Sequence, residues 1–388
     1  MQATPNSQRI HVGIFGEINS GKSSLINAIT GQDLSVVSEI KGTTTDPVSK
    51  AMELPFLGPI LITDTPGLDD SSALGEARTA KAMKALRKCD IALLVTDASQ
   101  KKSENFLPEN NKPCLFVRNK ADLLDEIPKA GENEIYVSAK TGFHVNELKE
   151  LMIKRFSGKP EKLIVSDILP VNSMVALVVS IDKSAPKGRL ILPQQQVLRE
   201  LLDFGHTAVI CRDSEFKEIL SKFSEGEIKL VITDSQVFET VASNLDSNAT
   251  SNIMLTSFSI LFARYKGELK INIEGAQAID FLKYGDKVLI CEGCTHHRQC
   301  DDIGTVKLPR MIKDYTKTEP EFDFYSGGDF PENIEKYSLI LHCGGCMLNE
   351  NEMIYRFELA RSKNVNITNY GIAMAYMNGI LERCVKWL

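Results

Sequence analysis

The sequence lacks three features that would direct a protein to a membrane or to nucleic acid. No stretch of about 18 apolar residues, the length that a membrane-spanning helix needs, occurs in the chain. The first residues, MQATPNSQRIHVGIFG, lack the cationic segment and long apolar stretch of an export signal. Lysine and arginine number 45 against 51 acidic residues, a net charge of −6 that does not favour a basic face. We therefore expect a soluble, cytoplasmic protein that binds neither membranes nor nucleic acid.

The chain has 388 residues, which exceeds what one hydrophobic core usually organises and predicts two or three domains. Nine cysteines would suit a secreted disulfide protein, but without an export signal we expect them to be reduced. Their distribution is uneven, because five lie between positions 291 and 346. The other four are scattered among apolar neighbours, where small buried side chains are the ordinary interpretation: Cys89, Cys114, Cys211 and Cys384.

A phosphate-binding motif lies near the amino end. The stretch RIHVGIFGEINSGKSSLINAITG predicts a strand ending at Phe15, a glycine-framed loop, and a helix that stops at Gly31. The pattern G-x-x-x-x-G-K-[ST] is satisfied by Gly16, Gly21, Lys22 and Ser23. Backbone N–H groups of such a loop point at phosphates together with the positive end of the helix. We expect Lys22 to neutralise the β and γ phosphates and Ser23 to bind magnesium, with further loop contacts from Ser20 and Ser24.

A second predicted strand supplies further groups for magnesium and the γ-phosphate. The stretch PILITDTPG places Asp64 at the end of a strand, where its carboxylate would hold magnesium through water. Gly67 follows, and its N–H is positioned to sense the γ-phosphate. Together with the phosphate loop, this spacing predicts nucleotide hydrolysis.

Two later loops favour guanine as the base. The stretch LFVRNKADLL carries Asn119, Lys120 and Asp122. The carboxylate of Asp122 can accept hydrogen bonds from the ring N–H and the exocyclic amine of guanine, an arrangement that adenine cannot supply. The stretch YVSAKTG then offers a backbone N–H for the guanine carbonyl, from the loop Ser138, Ala139 and Lys140. The motifs therefore indicate GTP as the nucleotide.

Residues 9 to about 156 resemble the translation-factor-related GTPases of the TrmE and Era type. KGTTTDP resembles that group's GTTRD switch, which implies that Thr44 closes over magnesium and the γ-phosphate, with Thr43 as the neighbouring candidate. Asn19 falls where potassium-stimulated members carry an asparagine, and the resemblance implies a K⁺ ion there. Leu68 occupies the position of the glutamine that orients water in Ras-like enzymes, so we expect slow intrinsic hydrolysis.

The middle of the chain has no catalytic constellation. RFSGKPEK, residues 155–162, has the composition of an interdomain linker, and the strands and helices that follow it alternate, which predicts a parallel α/β sheet. The apolar segment 251–265 is interpreted as a buried helix, with a self-association face as the alternative. Asp182 lies in a polar loop after an apolar strand, where an oxygen ligand could arise.

Metal-binding side chains are concentrated towards the far end, in CEGCTHHRQC and HCGGC. Each stretch follows a predicted strand, 287–291 and 338–342, and the carboxyl ends of parallel strands meet at one rim of a sheet. This brings three thiols into a single predicted site: Cys294, Cys343 and Cys346. The candidates for the fourth ligand are His296, His342 and Asp182. Ligand type leaves zinc and iron–sulfur evenly matched, although three cysteines on a 4Fe-4S cluster would leave one iron with an exchangeable ligand.

The pattern C-x-H, 45 residues, then H-C-x-x-C resembles the signature of the HydF family, GTPases that mature FeFe-hydrogenase. This resemblance spans the chain and implies three α/β domains, a P-loop GTPase fold followed by two smaller parallel-sheet domains. The implied ranges are 1–158 for the GTPase, 163–265 for dimerisation and 266–388 for the iron–sulfur cluster. Cys294, Cys343 and Cys346 would be the cluster ligands, while Cys291 and Cys300 fall outside the signature.

The same resemblance implies a function and partners. The protein would be a homodimeric scaffold that receives a diiron subcluster precursor from two radical-SAM maturases and delivers it to apo FeFe-hydrogenase. Two alternatives fit parts of the sequence: a GTPase acting on tRNA or the ribosome, from the switch resemblance, and a zinc-stapled regulatory GTPase. Metal analysis after anaerobic purification separates the zinc alternative from the scaffold.

Overall fold

A computed structural model describes residues 4–31, 48–65, 73–100, 113–156, 162–180, 190–245, 250, 252–293 and 302–388. The chain forms two compact units, Met1–Pro160 and Glu161–Leu388. In the described ranges no helix is long and apolar enough to cross a lipid bilayer.

The first unit is built on a six-stranded sheet in the order β2-β3-β1-β4-β5-β6, in which only the β2–β3 pair is antiparallel. Its strands are β1 Ile10–Gly16, β2 Val48–Leu54, β3 Gly58–Asp64, β4 Ile91–Asp97, β5 Cys114–Asn119 and β6 Glu134–Tyr136. Its helices are α1 Lys22–Thr30, α2 Ala73–Lys88 and α3 Val145–Phe156.

The central strand β1 is mostly apolar because helices cover both faces of a parallel sheet. Val12, Ile14 and Phe15 are fully buried. Helix α1 follows Gly21 and stops before Gly31, as predicted. Both glycines have a left-handed backbone. The predicted first strand is confirmed and runs one residue further, to Gly16.

The second unit contains two four-stranded sheets that are parallel throughout, so the predicted α/β class with two smaller parallel sheets is confirmed. The first sheet has the order β10-β9-β7-β8. Its strands are β7 Met174–Val179, β8 Thr207–Arg212, β9 Ile228–Thr233 and β10 Met254–Ser257. Its helices are α4 Leu192–Asp203, α5 Phe216–Leu220, α6 Phe238–Asn244 and α7 Phe258–Tyr265.

The prediction of one helix over 251–265 was wrong in its extent. Residues Met254–Ser257 form strand β10, which pairs with β9, and the helix begins only at Phe258. The chain changes from strand to helix at Ser257, whose hydroxyl accepts a hydrogen bond from the N–H of Ile260 and caps the helix. Burial was predicted correctly, since most apolar side chains of this segment pack in the core.

The second sheet of this unit has the order β12-β11-β13-β14. Its strands are β11 Lys287–Glu292, β12 Glu321–Ser326, β13 Leu339–His342 and β14 Asn366–Asn369. The helices around it are α8 Leu269–Ala276, α9 Leu308–Thr316, α10 Glu350–Ser362 and α11 Tyr370–Met377. The last helix, α12 Leu381–Val385, packs in the core of the first sheet of this unit. Strands β11 and β13 are adjacent, with Cys291 opposite His342, so the two strands predicted to end at metal-binding residues do end at one rim.

Candidate functional site

The phosphate loop joins β1 to α1 in a space that admits only glycine at its two ends. A Cβ added at Gly16 would lie 2.1 Å from the carbonyl oxygen of Val95, and one added at Gly21 would lie 2.3 Å from Nδ2 of Asn119. Gly21 also has φ +87°, which a side chain disfavours. The two motif glycines are therefore required by close approach of the backbone to neighbouring strands.

Lys22 and two predicted magnesium ligands, Ser23 and Asp64, lie beside this loop. Nζ of Lys22 donates to the carbonyl oxygens of Gly16 at 2.9 Å and Glu17 at 2.7 Å, which holds the amine over the loop. Ser23 Oγ donates to Oδ2 of Asp64 at 2.7 Å. Oδ1 of Asp64 is buried and accepts no hydrogen bond within the described residues. Burial raises the pKa of Asp64, against the hydrogen bond from Ser23 and the charge of Lys22.

An unsatisfied buried carboxylate oxygen beside a serine hydroxyl fits a magnesium ion, which prefers oxygen ligands and keeps several waters. Asp64 is delivered to this point because it pairs with Ile14 in the sheet, and the N–H of Thr65 donates to the Ile14 carbonyl at 3.3 Å. The residues present thus suit the predicted ion.

Asn119 ties the loops that were predicted to bind the base to the phosphate loop. Its Nδ2 donates to the carbonyl oxygen of Ser20 at 3.0 Å, and its Oδ1 accepts the N–H of Ala139 at 3.0 Å. One side chain thereby joins three segments that are far apart in sequence. The sequence motif placed Asn119 near guanine, but it did not indicate this bracing role.

The other two base-side residues are also fixed by neighbours. Lys120 has a left-handed backbone, and its Nζ forms an ion pair with Oδ2 of Asp97 at 2.6 Å, which fixes the end of the side chain. Oδ1 of Asp122 accepts the hydroxyl of buried Ser138 at 2.6 Å, which orients the carboxylate. Asp97 was not singled out by sequence reasoning, because an aspartate at a strand end carries no distinctive pattern.

The remaining predicted nucleotide residues divide into two groups. Asn19, Ser24 and Lys140 are exposed, whereas Ser20 is buried and its hydroxyl donates to the Glu17 carbonyl at 2.9 Å. Asn19 has φ +63°, a left-handed conformation that asparagine tolerates. Thr43, Thr44 and Gly67 lie outside the described residues.

The cysteine loop, residues 343–348, leaves the rim of the second unit's second sheet directly after β13. The N–H of Cys343 donates to the Cys291 carbonyl at 2.8 Å, which fixes the loop to strand β11. The Cys343 sulfur accepts the N–H groups of Gly293 at 3.1 Å and Gly345 at 3.4 Å. Burial raises the pKa of the Cys343 thiol, while those two N–H groups and the charge of Lys266 act in the opposite direction.

This environment fits a metal–thiolate centre. Backbone N–H groups aimed at sulfur stabilise a thiolate and tune clusters held by thiolates. A Cβ added at Gly344 would meet nothing within 4 Å, so the loop has open space beside Cys343. Burial also raises the pKa of Cys346, and Lys266 lowers it. The predicted partners Cys294 and His296, together with Cys300 and Asp182, lie outside the described residues.

Lys266 is the residue that sequence reasoning missed at this site. It follows helix α7, is 7% exposed, and its Nζ donates to the carbonyl oxygens of Gly345 at 2.5 Å and Leu348 at 3.3 Å. Burial lowers the pKa of Lys266 to about 8, whereas Cys346, Cys343 and Glu350 act to raise it. A lysine 79 positions from its acceptor leaves no local signal in the sequence.

His342, one of the candidate fourth ligands, uses both ring nitrogens within the protein. Nδ1 lies 2.6 Å from the Cys343 carbonyl, so it carries the proton and donates, and Nε2 accepts from the guanidinium of Arg356 at 2.8 Å. Burial, followed by the charge of Arg356, lowers the pKa of His342 to about 3. In this arrangement neither nitrogen is left for a metal.

Arg356 is itself fully buried and is satisfied by Glu352, which accepts from Nε at 3.0 Å and from Nη2 at 2.9 Å. Cys291 is buried in the apolar core of the same sheet, and burial raises the pKa of its thiol to about 12. Among the described residues no three histidine, cysteine or carboxylate side chains come together as a metal site. The predicted site therefore depends on Cys294 joining Cys343 and Cys346.

Comparison with protein families divides the chain into three matched regions. A model of the hydrogen maturase F dimerization domain matches residues 164–267, and one of the hydrogen maturase F tetramerization domain matches residues 270–387. Together these two regions make up more than half of the chain. The chain belongs to the hydrogen maturase F (HydF) family. A third model, described as a 50S ribosome-binding GTPase, matches residues 11–120, so this HydF family member carries a GTPase domain at its amino end.

Two curated relatives each match less than half of the chain. The tRNA modification GTPase MnmE of Legionella pneumophila (strain Paris) is 38% identical over 147 residues, 36% of this chain and 33% of the relative. GTPase Der of Clostridium acetobutylicum is 30% identical over 189 residues, 41% of this chain and 43% of the relative. The HydF family chain thus spans about a third of the length of the MnmE proteins it matches.

Solved structures show similar partial matches. Era in complex with MgGDPNP and a fragment of 16S ribosomal RNA is 20% identical, covers 52% of this chain and 91% of that chain, and has a TM-score of 0.34. The G domain of the T. maritima FeoB iron transporter is 24% identical, covers 38% of this chain and 99% of that chain, and has a TM-score of 0.28.

Proposed function

We propose that the protein is a GTP-hydrolysing scaffold in FeFe-hydrogenase maturation. The single observation that carries this proposal is that one chain joins a phosphate loop with guanine-selective side chains to HydF dimerization and tetramerization domains that contain a cysteine loop. GTP hydrolysis is proposed for the first unit, and binding of a metal cluster and its cargo is proposed for the second.

In the GTPase domain, Lys22 and the loop N–H groups would bind the β and γ phosphates. Ser23 and Asp64 would hold Mg²⁺ with Thr44, and the ion supplies charge stabilisation on the phosphate oxygens when bound. Gly67 would sense the γ-phosphate, while Asn119, Lys120, Asp122 and the 138–140 loop select guanine. Thr43 is the second switch candidate. Asn19 would hold a K⁺ ion, and we expect hydrolysis to be slow unless this ion or a partner orders the switch.

In the second unit, Cys294, Cys343 and Cys346 would bind a 4Fe-4S cluster, whose fourth iron keeps a non-cysteine or exchangeable ligand. The N–H groups of Gly293 and Gly345 support this assignment because they already point at sulfur. With both nitrogens of His342 engaged, His296 and Asp182 become the stronger candidates for the fourth position.

The cargo in this proposal is a diiron subcluster precursor, which two radical-SAM maturases load and apo FeFe-hydrogenase receives. The names of the two matched HydF domains support an oligomer, and we propose a homodimer through the middle domain, 163–265. The three-domain division at 1–158, 163–265 and 266–388 is part of the same proposal. Nucleotide state would shift partner association, since a ligand changes a conformational equilibrium only through differential contacts.

The deciding experiment is metal analysis after anaerobic purification. We expect brown protein with iron and sulfide, absorbing at about 400 nm as iron–sulfur clusters do, together with GTPase activity that is higher in potassium than in sodium. Colourless protein that retains only zinc would refute the cluster and leave the zinc-stapled GTPase. Salt-sensitive RNA binding by iron-free protein would instead favour the tRNA or ribosome alternative.

A further inference from the structure

We propose that Lys266 is the counter-ion and positioning residue of the cysteine loop, residues 343–348. This role rests on the proposed function, because it concerns the cluster to which Cys343 and Cys346 of this loop would bind. Lys266 lies outside the cysteine motifs and would set both the shape of the loop and the charge balance of the site.

The hydrogen bonds of Lys266 bracket one ligand. Its ammonium group donates to Gly345 on one side of Cys346 and to Leu348 on the other. The loop carbonyls therefore converge on one buried cation, and the turn that presents Cys346 is closed by it. Gly345 is a natural pivot for such a turn, with φ +59° and an added Cβ only 2.5 Å from the sulfur of Met353.

The charge of Lys266 needs a partner that the hydrogen bonds do not supply. Both acceptors are neutral carbonyl oxygens. Burying an ammonium group without a compensating negative charge is unfavourable, because the group loses its hydration. Glu350, the carboxylate on the neighbouring helix that acts on Lys266, forms an ion pair with Lys162. The closest chemical complement is the pair of thiols that metal binding converts to thiolates, Cys343 and Cys346.

The positive charge of Lys266 would affect the midpoint potential of the bound cluster. Three thiolates on a 4Fe-4S core leave a net negative charge, which grows by one unit when the cluster is reduced. A fixed cation in a poorly screened interior stabilises the reduced form more than the oxidised form. Lys266 should therefore raise the midpoint potential as well as hold the loop.

The test compares Lys266→Gln, Lys266→Met and Lys266→Arg in the full-length protein, purified and reconstituted without oxygen. We expect Lys266→Gln, which keeps N–H donors without charge, to bind the cluster but to show about a tenfold lower reduced-to-oxidised ratio at a fixed potential. That ratio corresponds to a midpoint about 59 mV more negative for a one-electron couple. Lys266→Met should also lose iron, and Lys266→Arg should restore most of the potential and the iron content.

Lys270→Met is the matched control, because Lys270 lies four residues away on the exposed face of α8 and pairs only loosely with Glu274 at 3.8 Å. It should leave potential, iron content and electron paramagnetic resonance spectrum unchanged. Circular dichroism checks folding, and if Lys266→Met does not fold, the Gln and Arg variants give the decision. An unchanged midpoint potential in iron-loaded Lys266→Gln would overturn the role of Lys266 and leave the proposed function intact. Wild-type protein that binds no iron would overturn the proposed function.

Discussion

The guanidinium of Arg356 donates to Nε2 of His342 at 2.8 Å, and both side chains are completely buried. This bond fixes the tautomer of the histidine, whose Nδ1–H then donates to the Cys343 carbonyl. A histidine that the motif HCGGC offers as a ligand is thereby turned towards the backbone of the loop, so it supports a ligand without being one in this arrangement.

Arg356→Met should destabilise the second unit strongly. The change removes both hydrogen bonds to Glu352 and the positive charge beside its buried carboxylate, and breaking a buried ion pair in this way costs about 3–5 kcal/mol. The free energy of unfolding in urea measures the effect. Arg310→Met is the control, since Arg310 and Asp314 form an exposed pair at 3.7 Å whose loss should cost less than about 1 kcal/mol. Equal effects of the two changes would contradict the prediction.

Gly21→Ala should weaken GTP binding at least about tenfold, or 1.4 kcal/mol. The added Cβ would lie 2.3 Å from Nδ2 of Asn119 and displace the side chain that joins the phosphate and base loops. Gly31→Ala is the control, because Gly31 also has a left-handed backbone but an added Cβ there would meet nothing within 4 Å. It should lower the free energy of unfolding by about 1–2 kcal/mol without changing the affinity for GTP. Calorimetric titration with GTP distinguishes them, and equal affinities would contradict the assigned role of the close approach.

Lys22→Ala should lower GTP hydrolysis by about 100-fold or more, because the amine that would neutralise the transferred phosphate is lost. Iron content should not change, since the cysteine loop belongs to the other compact unit. Phosphate release and iron content are measured on the same preparation. Lys154→Ala, an exposed position on α3, serves as control. Loss of the cluster together with hydrolysis would show that the two activities are not separable.

Asp122→Asn should reduce GTP affinity by about 2 kcal/mol or more, since the carboxylate that accepts two hydrogen bonds becomes an amide. Affinity for xanthosine triphosphate should rise, because xanthine replaces the exocyclic amine with a carbonyl that can accept from the amide. Asp125→Asn, at an exposed position three residues away, should change neither affinity. Competition between the two nucleotides for each variant checks the prediction, and a parallel loss of both would argue for simple misfolding of the loop.

Cys343→Ala should remove the bound metal while GTP hydrolysis continues, because the thiolate would be one of three ligands. Cys291→Ala is a close control, since Cys291 is buried in the core one strand away and should retain the metal. Iron and zinc content measured anaerobically gives the answer. If Cys343→Ala kept the metal and Cys291→Ala lost it, Cys291 and not Cys343 would be the ligand, and the prediction would be wrong.

The sequence by itself determined the local elements. The phosphate loop could be predicted as strand, loop and helix because glycines at fixed spacing, apolar alternation and a stopping glycine all act over a few residues. The parallel sheets followed from alternation of strands and helices. The error over 251–265 arose because an apolar run does not distinguish strand from helix, and Ser257 capping with pairing to β9 decided between them.

Only the tertiary structure decided what surrounds the predicted residues. Asn119 reaches Ser20 across 99 positions, Lys266 reaches Gly345 across 79, and Arg356 reaches His342 across 14. Each is a buried polar group that must find a partner once water is removed, and that partner is set by which strands lie side by side. Local spacing therefore named the candidate ligands, and long-range burial decided which side chains hold them in place.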